Sequence, residues 1–166
     1  MTHAARAAVL LAVMALTGPG LLADVNDAFQ IQVAPVTVAP GDMAEVVITI
    51  ALNKGYRLIG EPPPNKYSTP LMVTFDATRA LQPRTAIVPE PRTFTEEPQT
   101  FTYHAYEGTI MVKVPFKAND SAAPGDYTLH GRVRYQALII ENDLAGFLKT
   151  TVKNVDATVH IAARKK

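Results

Sequence analysis

Residues 106–161 read YEGTIMVKVPFKANDSAAPGDYTLHGRVRYQALIIENDLAGFLKTTVKNVDATVHI. Three alternating runs lie inside this stretch. Ile110, Val112, Val114 and Phe116 alternate with Met111, Lys113 and Pro115. Tyr127, Leu129, Val133 and Tyr135 alternate with Thr128, His130, Arg132 and Arg134. Val155, Ala157, Val159 and Ile161 alternate with Asp156, Thr158 and His160. A period of two belongs to an extended strand with one buried and one wet face. Ala123-Pro124-Gly125-Asp126, ahead of the second run, suits a tight reversal. Pro115 inside the first run predicts an edge strand or a bulge, because proline cannot donate to a ladder.

Between the second and third runs the alternation gives way to an apolar hairpin. Leu138, Ile139 and Ile140 lead into Glu141-Asn142-Asp143, and Leu144-Ala145-Gly146-Phe147-Leu148 return. If exposed, such a hairpin marks a contact surface, since monomers rarely show large apolar patches. If tucked in, it extends the core. We assign Ile139 to the core and Phe147 to contact.

Outward from this stretch the pattern repeats. Val46, Ile48, Ile50 and Leu52 alternate with Val47, Thr49 and Ala51. Weaker candidates are Phe29–Val33, Tyr56–Ile59, Leu71–Phe75 and Thr85–Val88. Thirteen prolines punctuate the chain, and no stretch shows sustained helical periodicity after residue 23. About eight or nine short strands joined by Pro/Gly turns predict an all-β antiparallel sandwich, with the immunoglobulin-like arrangement leading. Many such sandwiches lack the Cys–Trp–Cys core. Gly60 to Pro70, with Pro62-Pro63-Pro64, reads as an extended surface connection of polyproline character.

Residues 1–23 read apart from the fold. Arg6 precedes ten apolar residues, Ala7 to Leu16; Thr17-Gly18-Pro19-Gly20 break the run, and Ala23 could end a cleavage site. That is the order of a secretory signal. Ten residues are too few for a membrane-spanning helix, which needs roughly 20. The expected mature domain is therefore 24–166, a single periplasmic domain. Its Lys+Arg count falls from 16 to 15 against 15 Asp+Glu. A balanced chain lacks the basic footprint of a nucleic-acid binder, and Arg164-Lys165-Lys166 reads as a solvated tail. With no cysteine, the exported domain must rely on its core rather than on disulfides. A chain of this length buries roughly two-thirds of its unfolded surface, so a core can suffice.

The stretch from Tyr106 to Ile161 resembles the end of the N-terminal periplasmic domain of the thiol:disulfide interchange protein DsbD, most strongly from Tyr106 to Gln136. The resemblance rests on the YEG start, the strand ending VPFKA, the AAPGDYTL turn and the VRYQA strand. Gly55-Tyr56-Arg57-Leu58, followed by prolines up to Pro70-Leu71, is similar to an earlier strand of that family. In the family, a "YQ-small-Cys" run ends one strand and a second Cys opens the next. Here Tyr135-Gln136-Ala137 is followed by Leu138, and the second position falls at Phe147 or Leu148. The resemblance also implies a cap loop over the cysteine pair. Only Phe94-Thr95-Glu96-Glu97-Pro98 to Phe101 stands where that loop would be. A thiolate is the species that attacks a disulfide, so the family's scaffold is expected without its chemistry.

No other constellation carries a reaction. His104, His130 and His160 lack metal-ligand spacing. Met43, Met72 and Met111 are scattered. Ser68 and Ser121 sit in no nucleophile motif. No catalytic residue, metal or cofactor is expected. The expected function is a periplasmic protein-binding or scaffold module, not an enzyme. Its partner, of thioredoxin fold if the resemblance holds, would be met through Leu138, Leu144, Phe147 and Leu148. The alternative is a non-catalytic accessory subunit of a thiol-redox or cytochrome-maturation pathway.

Overall fold

The computed structural model describes residues 28–96, 101–141 and 144–163. The candidate signal at 1–23, the turn residues Asn142 and Asp143, Glu97, Pro98 and the basic tail at 164–166 lie outside these described residues. Among the described residues the elements are all strands: β1 (Phe29–Val33), β2 (Val36–Val38), β3 (Met43–Leu52), β4 (Tyr56–Ile59), β5 (Met72–Phe75), β6 (Leu81–Pro83), β7 (Arg92–Glu96), β8 (Phe101–Tyr106), β9 (Thr109–Ala118), β10 (Gly125–Glu141) and β11 (Leu144–Ile161). None is a helix long and apolar enough to cross a membrane.

Two sheets form the expected immunoglobulin-like sandwich. One has the order β1-β3-β9-β6. The other runs β2-β11-β10-β4-β8-β7, with β5 also paired to β10. All pairs are antiparallel except β2 with β11. The first strand splits at Ala34-Pro35: β1 joins the first sheet, and β2 crosses to lie parallel to β11.

The alternating runs become the core. Val46, Ile48 and Ile50 from β3 meet Val112, Val114 and Phe116 from β9 across the sandwich from Leu129, Val133, Ala157 and Val159. Tyr135 places its ring edge-on to Phe29, with centroids 4.6 Å apart. Burial pushes its phenol pKa up, with a weaker opposing pull from Thr151 opposite. Among the described residues the Tyr135 hydroxyl meets no hydrogen-bond partner of good geometry.

Two strand expectations need correction. Pro115 lies neither on an edge nor at a bulge: β9 sits between β3 and β6, and its register with β3 is continuous. The Pro115 carbonyl accepts from Arg84 N–H. The side of Pro115 that lacks a donor therefore faces the point where β6 has just ended, and the β3 ladder loses nothing. Thr85–Val88 forms no strand; Ile87 alone bridges to Lys113. Alternation without a neighbour long enough to pair is not sufficient for a strand.

The hairpin region is shaped by a bulge. Gln136 pairs with Thr150, but Leu138 pairs with Phe147, so Leu148 and Lys149 oppose Ala137 alone. An extra residue reverses the side chains beyond it. Phe147 thereby shares a face with Leu138, and Leu148 turns back toward the main core.

Candidate functional site

Beyond the bulge, the outer face of the second sheet gathers its own cluster. Ile59, Tyr103, Ala105 and Leu138 are buried there, with Phe94, Phe101, Ile140 and Ala145 packed around them. The four buried side chains come from strands that also feed the main core by alternation, whereas Phe94 comes from β7, which lends nothing to that core. Leu58 points inward and Ile59 outward on β4; Tyr106 points inward and Ala105 outward on β8.

Four rings form a chain across this face. Phe94 on β7 stacks on Tyr103 of β8 at 5.8 Å, and Phe101 stacks on Tyr103 at 5.5 Å. Phe101 then meets Phe147 of β11 edge-on at 6.1 Å. Such pairs contribute roughly 0.5–1.5 kcal/mol beyond the area they bury. Phe147 ends the chain and is 42% exposed.

A polar triad locks the cluster. Arg57 Nη1 donates to Glu96 Oε1 at 2.5 Å and to Tyr103 Oη at 2.6 Å. Tyr103 Oη donates to Glu96 Oε1 at 2.8 Å. The Arg57 guanidinium also lies 3.8 Å from the Phe94 ring centroid, and the Arg92 guanidinium is 5.5 Å from the same ring. Burial, then the hydrogen bond to Glu96, pushes the Tyr103 phenol up to about 12, against the opposing pull of Arg57. Tyr103 is therefore a protonated donor at neutral pH, not a base. Burial works against the Arg57 charge, but its bonds to Tyr103 and Glu96 outweigh it and raise its pKa.

Gln136 ties the bulge to the proline-rich connection. Its side chain donates to Leu148 O at 2.8 Å and accepts from Thr69 N–H at 3.0 Å. Thr69 Oγ1 and Thr150 Oγ1 lie 2.9 Å apart. The connection from Gly60 to Pro70 is thus pinned at its C-terminal end, while Tyr67 stands 80% exposed.

The four residues read from the sequence as one contact set separate. Phe147 is on the surface, as expected. Leu138 is fully buried beneath the rings, so it supports the face instead of forming it. Leu148 is turned to the main core by the bulge. Leu144 pairs through its backbone with Glu141, and its side chain lies outside the described residues. Ile139, assigned to the core, is only partly buried and joins neither cluster. Sequence reasoning missed Arg57, Tyr103 and Gln136. Phe94 and Phe101, read only as a stand-in for a loop, lie on paired strands whose rings reach Phe147.

The arrangement offers an apolar aromatic surface. Among the described residues, no group of His, Asp and Glu could hold a metal ion. His130 and His160 are on outward faces, each with an Asp opposite: Asp156 at 2.8 Å and Asp126 at 2.7 Å.

No family model matches the sequence, and no curated protein sequence does. Solved structures do match in fold. The N-terminal domain of DsbD from Neisseria meningitidis, in its reduced form, is similar over 85% of this chain and 96% of that chain, with TM-score 0.50 and 14% identity. The N-terminal periplasmic domain of ScsB from Proteus mirabilis is similar over 80% of this chain, with TM-score 0.52 and 12% identity. This chain spans only 47% of the ScsB structure. At such identity the likeness establishes the immunoglobulin-like fold alone.

Proposed function

We propose that this protein is a periplasmic, non-enzymatic binding module that meets a thioredoxin-fold partner through the aromatic face at the β10–β11 hairpin. The observation that carries this reading is the chain of rings ending at the exposed Phe147, held in place by the Arg57–Glu96–Tyr103 triad. A ring supported from below and open above is the form of a contact anchor. The fold-level likeness to the DsbD and ScsB domains supports the choice of partner. The register pairs Leu138 with Phe147, which is one of the two candidates, with Leu148, for the second position of the resemblance. The lack of cysteine throughout the chain supports binding without exchange chemistry.

Calorimetric titration with purified periplasmic thioredoxin-fold proteins of the same organism tests this reading. Saturable binding is expected, together with insulin reduction no faster than background. Insulin reduction by the protein alone, or no binding to any of them, would count against it.

A further inference from the structure

β11 is unequally flanked. β10 covers it along its whole length, while β2 covers only Val159–Ile161 on the other side. Among the described residues, no strand pairs with the rest of that outer edge. Ala162 N–H donates to Val38 O on β2. Main-chain groups alternate sides along a strand, so those of Val152, Asn154 and Asp156 also point away from β10. Facing them is β1, an edge of the first sheet. Ala34 N–H donates to Val47 O on β3. By the same alternation, Ile31 and Val33 turn their main-chain groups away from β3.

A groove of about 420 Å³ runs along this seam, lined by Ile31, Val33, Lys153, Asn154, Val155 and Asp156. Lys153 lies opposite Val133 on the inward face, its Nζ 4.6 Å from the Phe29 ring centroid. No carboxylate pairs with it among the described residues.

We propose that this seam docks an extended acidic peptide, which adds to the outer edge of β11 as a further strand. A row of free N–H and C=O groups on a strand is met by another extended main chain. Ile31, Val33 and Val155 give alternate apolar residues of the peptide a floor. Lys153 supplies the charge that a carboxylate on the peptide would meet. An inward-pointing lysine on an edge also discourages neutral and cationic strands, so it selects by exclusion as well as attraction. The site shares no residue with the aromatic face and stands or falls separately from it.

The probe is the peptide acetyl-Val-Thr-Asp-Thr-Val-amide, titrated to millimolar concentration into the ¹⁵N-labelled full chain. Its Val and Asp side chains share one face, as Val155 and Lys153 do on β11, and its neutral threonines take the outward side beside Asp156. The amides of Val152, Asn154 and Asp156 are expected to shift and to gain protection from hydrogen exchange. A lysine-for-aspartate peptide, and one N-methylated at alternate residues, should not bind. Lys153→Glu should weaken the acidic peptide about tenfold or more. Asn154→Pro should do likewise with the β10 ladder intact, because the lost N–H faces the groove. Equal binding of the N-methylated peptide, no effect of Lys153→Glu, shifts confined to the Phe101–Phe147 face, or no shift at all would each overturn the proposal.

Discussion

Among the described residues, apolar side chains are buried in two places, and the two are built differently. Between the sheets, aliphatic residues from alternating strands close on one another, with Val46, Ile48, Ile50 and Leu129 fully buried. On the outer face of the second sheet, four rings gather around Leu138 beside the Arg57–Glu96 ion pair, and the last ring stays open to solvent. The first cluster needs only hydrophobic burial, which is non-directional. The second depends on directed contacts: the Arg57 fork, the Tyr103 hydroxyl and the bulge that turns Phe147 outward. A closed core specifies the sandwich; an open cluster held by polar bonds presents a surface.

The sharpest way to break the comparison is in the main core. Phe116→Ala should cost about 3–5 kcal/mol, the range for a buried aromatic truncated to alanine. Urea denaturation followed by circular dichroism reads this as a lowered midpoint with one transition. The triad should be weaker but still costly. Arg57→Met leaves Glu96, whose side chain is 16% exposed, without its cation. A loss of about 1–3 kcal/mol is expected, the range for hydrogen bonds to a charged group, because Glu96 keeps only the Tyr103 hydroxyl. If Arg57→Met matched Phe116→Ala in cost, the outer cluster would be part of the core in energetic terms.

Alkaline titration separates the clusters by a smaller effect. Tyr103 has its folded pKa raised from 10.0 to about 12. Its contribution is fully present below pH 10 and is lost as pH rises toward 12, because only the unfolded chain releases the proton in that window. The loss is at most about 1.4 kcal/mol per pH unit for one group. Tyr103→Phe should flatten the alkaline decline by that amount. Tyr106 and Tyr135, also raised mainly by burial, keep their share. A slope unchanged in Tyr103→Phe would contradict the buried, protonated phenol.

The two clusters were not equally legible in the sequence. Alternation located β3, β9, β10 and the second half of β11, because period-two burial is a local signal that the main core obeys. β2 and β6, with three residues each, are too short to show a period. The β7–β8 hairpin was readable in principle: Phe94 and Glu96, then Phe101, Tyr103 and Ala105, alternate with Thr93, Thr95, Thr102 and His104. What hid it was Glu96 on the apolar face, which makes sense only once Arg57, 39 residues away, is seen to pair with it. The bulge was not legible, since it rests on Gln136 bonding to Leu148 across the hairpin and to Thr69 in the Gly60–Pro70 connection. That single residue step decided the fate of the contact set. It put Phe147 beside Leu138 and turned Leu148 away.

Phe147→Ser should have the smallest effect on stability, below about 1 kcal/mol, because the ring is already 42% exposed. It is also the most direct test of the claim that the outer cluster exists to be met by a partner. The measurement is the affinity of a purified thioredoxin-fold partner for the parent chain and for Phe147→Ser, with the thermal midpoint of each. The account predicts an unchanged midpoint and affinity reduced about tenfold or more, as loss of one well-placed apolar anchor implies. Equal affinities, or a midpoint that collapses as it does for Phe116→Ala, would contradict it.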